Sequence, residues 1–305
     1  MPDPTMMQAA WYERPGPAEE VLQVGQLPLP EPAPGEVRVR LRLSGINPGD
    51  IKKRTAWKGA ALAHPLIIPH SDGAGTIDAV GPGVDTARCG ERVWVHGAQS
   101  YRAFGTAAQY TCVPSDLAVP LPPSVREETG ACLGIPGITA HRAVHAGGPV
   151  RGQRVLVHGV LGAVSSMAAQ LAVRAGARVV GTVRRGSQRE QVTLPGLAGV
   201  VALDDPSAAR QVVEIAGGKV HRIIEVDLAG NLPLDQQVIA NGGTIAAYGS
   251  HETHPRLDFW PLLFDNVVFR LLGSDDFPAQ AKQKAARELT AAAADGQLTV
   301  GHVEV

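Results

Sequence analysis

The spacing of apolar residues changes character near residue 125. Before that point, short β-rich runs at 37–43, 75–80, 92–95 and 107–113 are separated by Pro and Gly, with little helical periodicity. Short strands with frequent turn signals between them predict a barrel or sandwich. After it, apolar residues first recur at helical spacing and then gather into compact runs at 154–158, 178–183, 200–203, 222–226, 243–248 and 267–272, with Ala-rich stretches between several of them. Such alternation predicts a parallel sheet covered by helices on both faces, a doubly wound α/β domain. An amphipathic segment at 278–295 predicts a further helix stopped by Gly296, and the Pro-rich run 28–34 predicts an extended approach to the first long strand.

The most informative stretch is 154–185, where a buried strand runs into a turn at Gly159 and Gly162 and then into a helix. The expected buried face of that helix is Val164, Ala168, Leu171, Ala172 and Ala175. A helix start of this kind presents unpaired N–H groups and the positive end of a dipole to a pyrophosphate, and glycine permits the close approach. The spacing is Gly-x-x-Gly-x-x-Ser, with Ser165 in the place of a third glycine, so a purely structural strand-to-helix turn fits it as well.

The end of the next strand narrows the choice. No Asp or Glu occurs from Val160 to Arg189, and the strand closes on Thr182-Val183-Arg184-Arg185. A carboxylate there would hold the adenosine ribose of NAD, whereas a pair of guanidinium groups can hold a 2′-phosphate, which favours NADPH. The competing reading is a solvated basic pair.

Composition adds boundaries. At 305 residues the chain exceeds what one core usually serves, so two domains are expected. A hydrophobic content of 44% and a charged content of 19% are those of a folded chain, and a net charge of −1 gives no drive toward nucleic acid or anionic lipid, leaving a small molecule as the expected partner. There is no run of 18 apolar residues and no secretory leader pattern, and the three scattered cysteines suit reduced thiols, so a cytoplasmic protein is expected.

Several passages together resemble the zinc-free quinone oxidoreductase (zeta-crystallin-like) branch of the medium-chain dehydrogenase/reductase superfamily. They are Gly45-Ile46-Asn47-Pro48-Gly49-Asp50, Pro69-His70-Ser71-Asp72-Gly73-Ala74-Gly75, Val80-Gly81, Gly90-Glu91-Arg92-Val93, Gly134-Ile135-Pro136-Gly137-Ile138-Thr139-Ala140, the 154–185 unit and Tyr248-Gly249-Ser250. The resemblance implies a GroES-like β-barrel at 1–123, completed by about 297–305, and a Rossmann NADPH-binding domain at 124–296, with the active site in the cleft between them. It implies Asn47 and Thr139 at the nicotinamide, Gly162, Ala163 and Val164 at the pyrophosphate, and Thr182, Arg184 and Arg185 at the adenosine phosphate. Val226, Asp227, Tyr248, Gly249 and Ser250 would follow the strand ends facing the cofactor. Relatives that use zinc carry a Cys near Asn47 and a His-Glu pair where this chain has Ser71-Asp72, so no metal is expected. The run 301–305 resembles the family's last strand with one helix-sized segment missing before it, either deleted or left out of the sequence.

The implied reaction is hydride transfer to a quinone or an α,β-unsaturated carbonyl, which leaves an oxygen needing a hydrogen-bond donor. Catalytic candidates are Asn47 as an orienting amide, His70 as a proton donor or equally a structural or solvent-facing residue, and Ser71, with Tyr248 nearby; solvent is the alternative proton source. His141 and His145 share a helix face but lack a third ligand, Cys132 reads as an inert core thiol, and Trp57 and Trp94 read as core aromatics, with flanking a flat substrate as the alternative. A homodimer through the apolar edge strand at 267–272 is expected. The alternatives are a zinc-free alcohol or ketone dehydrogenase, a specialised biosynthetic reductase, and a non-catalytic NADPH-binding sensor or structural protein.

Overall fold

The computed structural model describes residues 5–59 and 61–301, with Lys58 by its backbone alone. Two compact units result, one of Met1–Pro136 with Ala286–Ala294, the other of Gly137–Ala285 with Asp295–Val305.

In the first unit, β1 (Met6–Trp11) and β2 (Gln23–Pro28) flank the short helix α1 (Ala18–Val21) and form an antiparallel pair. A five-stranded antiparallel sheet follows, built from β3 (Glu36–Gly45), β4 (Asp72–Val80), β5 (Arg92–Val95), β6 (Tyr110–Pro114) and β7 (Ala118–Pro120) in the order β6-β3-β4-β5-β7. Its core is β-branched, with Val37, Val39, Ile77, Val93, Val95 and Val113 packed together. Burial of each such side chain is worth about 1.5–3 kcal/mol. The helices α2 (Pro48–Arg54) and α3 (Glu127–Ala131) complete the unit.

The strand expected at 107–113 begins only at Tyr110, because the residues before it pair elsewhere: Ala10 N–H donates to the Ala107 carbonyl, and Ala9 bridges Ala108. Trp94 is fully buried and its indole N–H donates to Thr290 Oγ1 at 3.0 Å. Trp57, expected in the core, is instead half exposed, with the Lys52 ammonium 4.8 Å above its ring.

The second unit opens with α4 (Ile138–His145) and continues through β8 (Arg154–Val157), α5 (Ala163–Arg174), β9 (Arg178–Val183), β10 (Gly199–Ala202), α6 (Ala208–Ala216), β11 (Val220–Glu225), α7 (Leu228–Val238), β12 (Ile239–Ala247), α8 (Phe259–Phe264) and β13 (Val268–Leu271). The six strands are parallel in the order β10-β9-β8-β11-β12-β13. The chain winds outward from β8 to β10 and then returns to the other side of β8 with β11. The ends of β8 and β11 therefore bound the point where the winding reverses, the usual ligand crevice of an open α/β sheet. Leu156, Val180, Ile223, Leu232 and Ile245 fill the layer between sheet and helices.

Two expectations are corrected here. β12 starts at Ile239 rather than 243, because the Asn241-Gly242 turn signal sits inside a strand that pairs irregularly with β11 between Val220 and Arg222. The helix α5 is buried from Ser165 through Ala172 on all sides, while Val164 is only half buried and Ala175 lies beyond its end. Small Ser and Ala side chains let it pack closely on more than one face. The last helix, α9 (Ala279–Ala294), ends just before Gly296, whose φ of 69° is the left-handed value a helix stop requires. The strand expected at 302–305 lies outside the described residues. Among the described residues no helix is long and apolar enough to cross a membrane.

Candidate functional site

In the first unit the sequence candidates gather around Asp72 at the start of β4. Asn47 caps α2 and is buried; its backbone N–H donates to Asp50 Oδ2 at 2.7 Å and its side-chain Nδ2 donates to Asp72 Oδ2 at 2.7 Å. The same carboxylate oxygen accepts the Ile135 backbone N–H at 2.8 Å. A Cβ at Gly134 would stand 1.9 Å from Asp72 Oδ1, so only glycine lets this loop close over the carboxylate.

His70 takes a left-handed φ of 73° and its Nδ1 lies 2.8 Å from Ser44 Oγ, which in turn is 2.9 Å from Thr106 Oγ1. Thr106 donates to the Asp72 carbonyl at 2.6 Å. Burial pulls the His70 imidazole below its usual value, which favours the neutral, hydrogen-bonded ring. Ser71 is fully buried, and its hydroxyl finds no hydrogen-bond partner among the described residues. Cys132 is half buried, and burial raises its thiol away from the reactive thiolate.

In the second unit the candidates assemble along the strand ends. Gly159 follows β8 with a φ of 66°, and its N–H donates to Thr182 Oγ1 at 3.2 Å. Gly162 is the N-cap of α5, which has no side-chain cap and no acidic residue in its first turn, and both Gly162 and Ala163 are exposed. The first N–H groups of α5 are thus open to an anion. Ser165 fills the third-glycine position by donating to the His158 carbonyl at 2.5 Å and meeting the Tyr248 hydroxyl at 2.7 Å. Burial drives the Tyr248 phenol up to about 12, so it remains protonated.

Thr182 is buried beneath the turn, and Arg184 and Arg185 are exposed just beyond β9. The sequence reading missed Asp204, which follows β10 and accepts the Gly186 N–H at 3.0 Å, setting the loop after the arginine pair. Val226 is exposed at the end of β11, and a Cβ on Gly249 would fall 2.2 Å from its carbonyl oxygen. Asp227 is gripped by His251, whose backbone N–H and Nδ1 lie 2.8 and 2.7 Å from Oδ1. Burial alone would raise the Asp227 carboxyl, but the His251 hydrogen bonds outweigh it and hold it low, while the same bond raises the exposed His251 ring. Ser250 donates to the Glu252 carbonyl at 2.7 Å, away from the turn. Thr139 is buried on α4, and the His141 and His145 rings lie 4.7 Å apart on that helix, tilted 52° to each other.

Below the turn lies a cluster that the sequence reading did not single out. His158, Glu225 and Asp235 are fully buried, with His158 Nε2 2.9 Å from Asp235 Oδ1 and 3.6 Å from Glu225 Oε2. The signal was legible: His158 follows the apolar run Val155-Leu156-Val157, and Glu225 follows Ile223-Ile224.

Residues 33–123 match the alcohol dehydrogenase GroES-like domain family. The chain is 32% identical over 243 residues to the quinone oxidoreductase of Rattus norvegicus, with 78% of this chain and 72% of that one covered. Among solved structures, a mycobacterial quinone oxidoreductase superposes with a TM-score of 0.81 at 27% identity, covering 97% of this chain and 91% of the other. A mycobacterial protein solved in complex with NADPH superposes with a TM-score of 0.82 at 26% identity, covering 97% and 90%. The five-stranded antiparallel sheet is accordingly a GroES-like half-barrel and the six-stranded parallel sheet a Rossmann fold.

Proposed function

This chain belongs to the quinone oxidoreductase family of the medium-chain dehydrogenase/reductase superfamily, and from that premise we propose that it is an NADPH-dependent reductase of quinones or α,β-unsaturated carbonyls that works without zinc. The observation that carries the reading is the end of β9, where exposed Arg184 and Arg185 stand in place of a ribose-binding carboxylate beside an uncapped helix start. The relative solved with NADPH supports the same choice.

The residues fit a dinucleotide. The glycines at 159, 162 and 249 keep side chains off the strand ends, and a Cβ at Gly249 has no room. The N–H groups of Ala163, Val164 and Ser165 would hold the pyrophosphate, and Arg184 and Arg185 the 2′-phosphate. Val226, Tyr248 and Ser250 would border the rest, with Thr182 and Asp227 supporting them from below, and Asn47 and Thr139 would serve the nicotinamide end. The bound cofactor supplies hydride; the chain supplies orientation.

Asn47 is the orienting group of this set, since the Asp72 carboxylate fixes its amide nitrogen and thereby its rotamer. With the neutral ring of His70 favoured and Ser71 fully buried, solvent is the proton source in this reading. Zinc independence is supported by the residue types: where zinc-using relatives place a thiolate and an imidazole, this chain has an amide, a hydroxyl and an Asp72 oxygen already engaged by two N–H donors. A small molecule is the partner in this reading, and a homodimer forms across the β13 edge, where Val268 is 43% and Leu271 75% exposed.

The test is consumption of NADPH by the purified chain against a panel of quinones, enones, aldehydes and alcohols, with and without a chelator. Turnover of quinones or enones that survives chelation is expected. Alcohol oxidation alone would favour a zinc-free dehydrogenase, and nucleotide binding without any turnover would overturn the enzyme.

A further inference from the structure

We propose that His158, Glu225 and Asp235 form a proton-holding positioning cluster beneath the glycine turn, which makes dinucleotide affinity fall as pH rises; the inference rests on the reading of that turn as an NADPH site.

The cluster has a charge problem that geometry exposes. Two carboxylates and one imidazole share a volume from which solvent is excluded, all three side chains being fully buried. Full ionisation leaves one uncompensated negative charge, which a dry interior penalises heavily. Two of the carboxylate oxygens, Glu225 Oε2 and Asp235 Oδ2, have no hydrogen-bond partner among the described residues. One additional proton on Glu225 neutralises the cluster. His158 Nε2 and Asp235 Oδ1 lie 2.9 Å apart, a hydrogen-bond distance that a shared proton accounts for.

The cluster is wired to the candidate anion site through each strand end around it. From β8, His158 immediately precedes Gly159, and its Nδ1 lies 3.0 Å from Thr182 Oγ1 on β9, the atom that accepts the Gly159 N–H. From β11 and α7, Glu225 Oε1 accepts the Asp227 backbone N–H at 2.5 Å and Asn231 Nδ2 at 2.8 Å. From β12, Tyr248 reaches the same region through Ser165, which holds the His158 carbonyl. The charged and titratable groups facing Glu225 are thus His158, Asp235 and Tyr248, with the Asp227–His251 pair one residue beyond.

The balance tips near neutrality. Burial pushes the Glu225 carboxyl up, His158 pulls it back, Asp235 adds to the rise, and the carboxyl stands at about 7. Burial pulls His158 down, but the Asp235 and Glu225 charges outweigh it and hold the ring above its usual value. Below neutral pH the cluster carries no net charge; above it, the lost proton leaves a buried negative charge under the turn that is to hold a pyrophosphate. Repulsion of this size over such a range weakens binding by about five- to tenfold.

Fluorescence titration of the full chain with NADPH and with NADH, at about pH 6 and about pH 8.5, tests this in wild type and in Glu225→Gln, whose amide imitates the protonated acid. In wild type, affinity for both nucleotides is expected to fall about five- to tenfold across the interval, and in the variant the cluster's share of that fall disappears. Equal slopes in the two proteins overturn this inference and leave the cofactor reading standing. A folded wild type that binds neither nucleotide at either pH overturns both. Should Glu225→Gln fail to fold, the infrared carbonyl band of a buried protonated carboxyl in the unliganded wild type decides: present at the lower pH and lost at the higher one supports the proposal, and absent at both overturns it.

Discussion

The Ser165 hydroxyl lies 2.7 Å from the Tyr248 phenol oxygen, joining the first turn of α5 to the end of β12. Ser165 also donates to the His158 carbonyl, so the residue that breaks the glycine pattern links three elements at the strand ends. Replacing Ser165 with Gly would restore the sequence pattern and break both contacts. Stability is expected to fall by about 1–3 kcal/mol through the unpaired polar groups left behind. Urea melts of Ser165→Gly check it; an unchanged midpoint would show these bonds to be worth nothing net.

The arginine pair separates the two nicotinamide nucleotides. Substituting Arg184 and Arg185 with Ala is expected to weaken NADPH about tenfold or more, the loss of charge-assisted bonds to a phosphate, while leaving NADH nearly unchanged. Titration of both nucleotides measures it, and equal losses for the two would assign the pair to the surface.

Asp72 organises the first unit's candidates. Asp72→Ala strips the acceptor from Asn47 Nδ2 and from the Ile135 N–H. The expected cost is about 2–4 kcal/mol in thermal or denaturant unfolding. Turnover should drop further than stability alone accounts for, because the Asn47 amide loses its fixed orientation.

Stability should decline as pH rises toward neutrality. The Glu225 carboxyl has an ordinary value of 4.5 and stands at about 7 when folded, so the native state holds a proton the unfolded chain has released. Its contribution is full below 4.5 and is lost between there and about 7. The slope is about 1.4 kcal/mol per pH unit in that window. His158, also raised, has the same sign and loses its contribution as pH climbs past its folded value. Melting temperatures of wild type and Glu225→Gln across this range measure the slope, which the variant should flatten.

The β13 edge is the expected dimer seam. Leu271→Arg places a charge on a strand position that is 75% exposed in the single chain. Sedimentation of the variant should show monomer where the wild type shows dimer; a monomeric wild type would remove the proposal, and an unchanged dimer would move it to another surface.

The sequence by itself determined the second sheet, because its buried parallel strands carry compact apolar runs such as Val155-Leu156-Val157, unlike the alternation of a half-solvated strand. It determined the arginine pair and the glycine turn for a similar reason: backbone freedom and charge are properties of residue type. Register and strand ends were less legible, since β12 continues past Asn241-Gly242: Ile239 pairs with Val220 and Thr244 with Arg222, and the residues between make an irregularity in the pairing with β11. What only the tertiary structure decided were the meetings of residues far apart in the chain. Asp72 with Asn47 and Ile135, Asp204 with the Gly186 N–H, and His158 with Glu225 and Asp235 have no local spacing to betray them. Protonation likewise depends on how much water is excluded and which charges face one another, and neither quantity exists until the chain has folded.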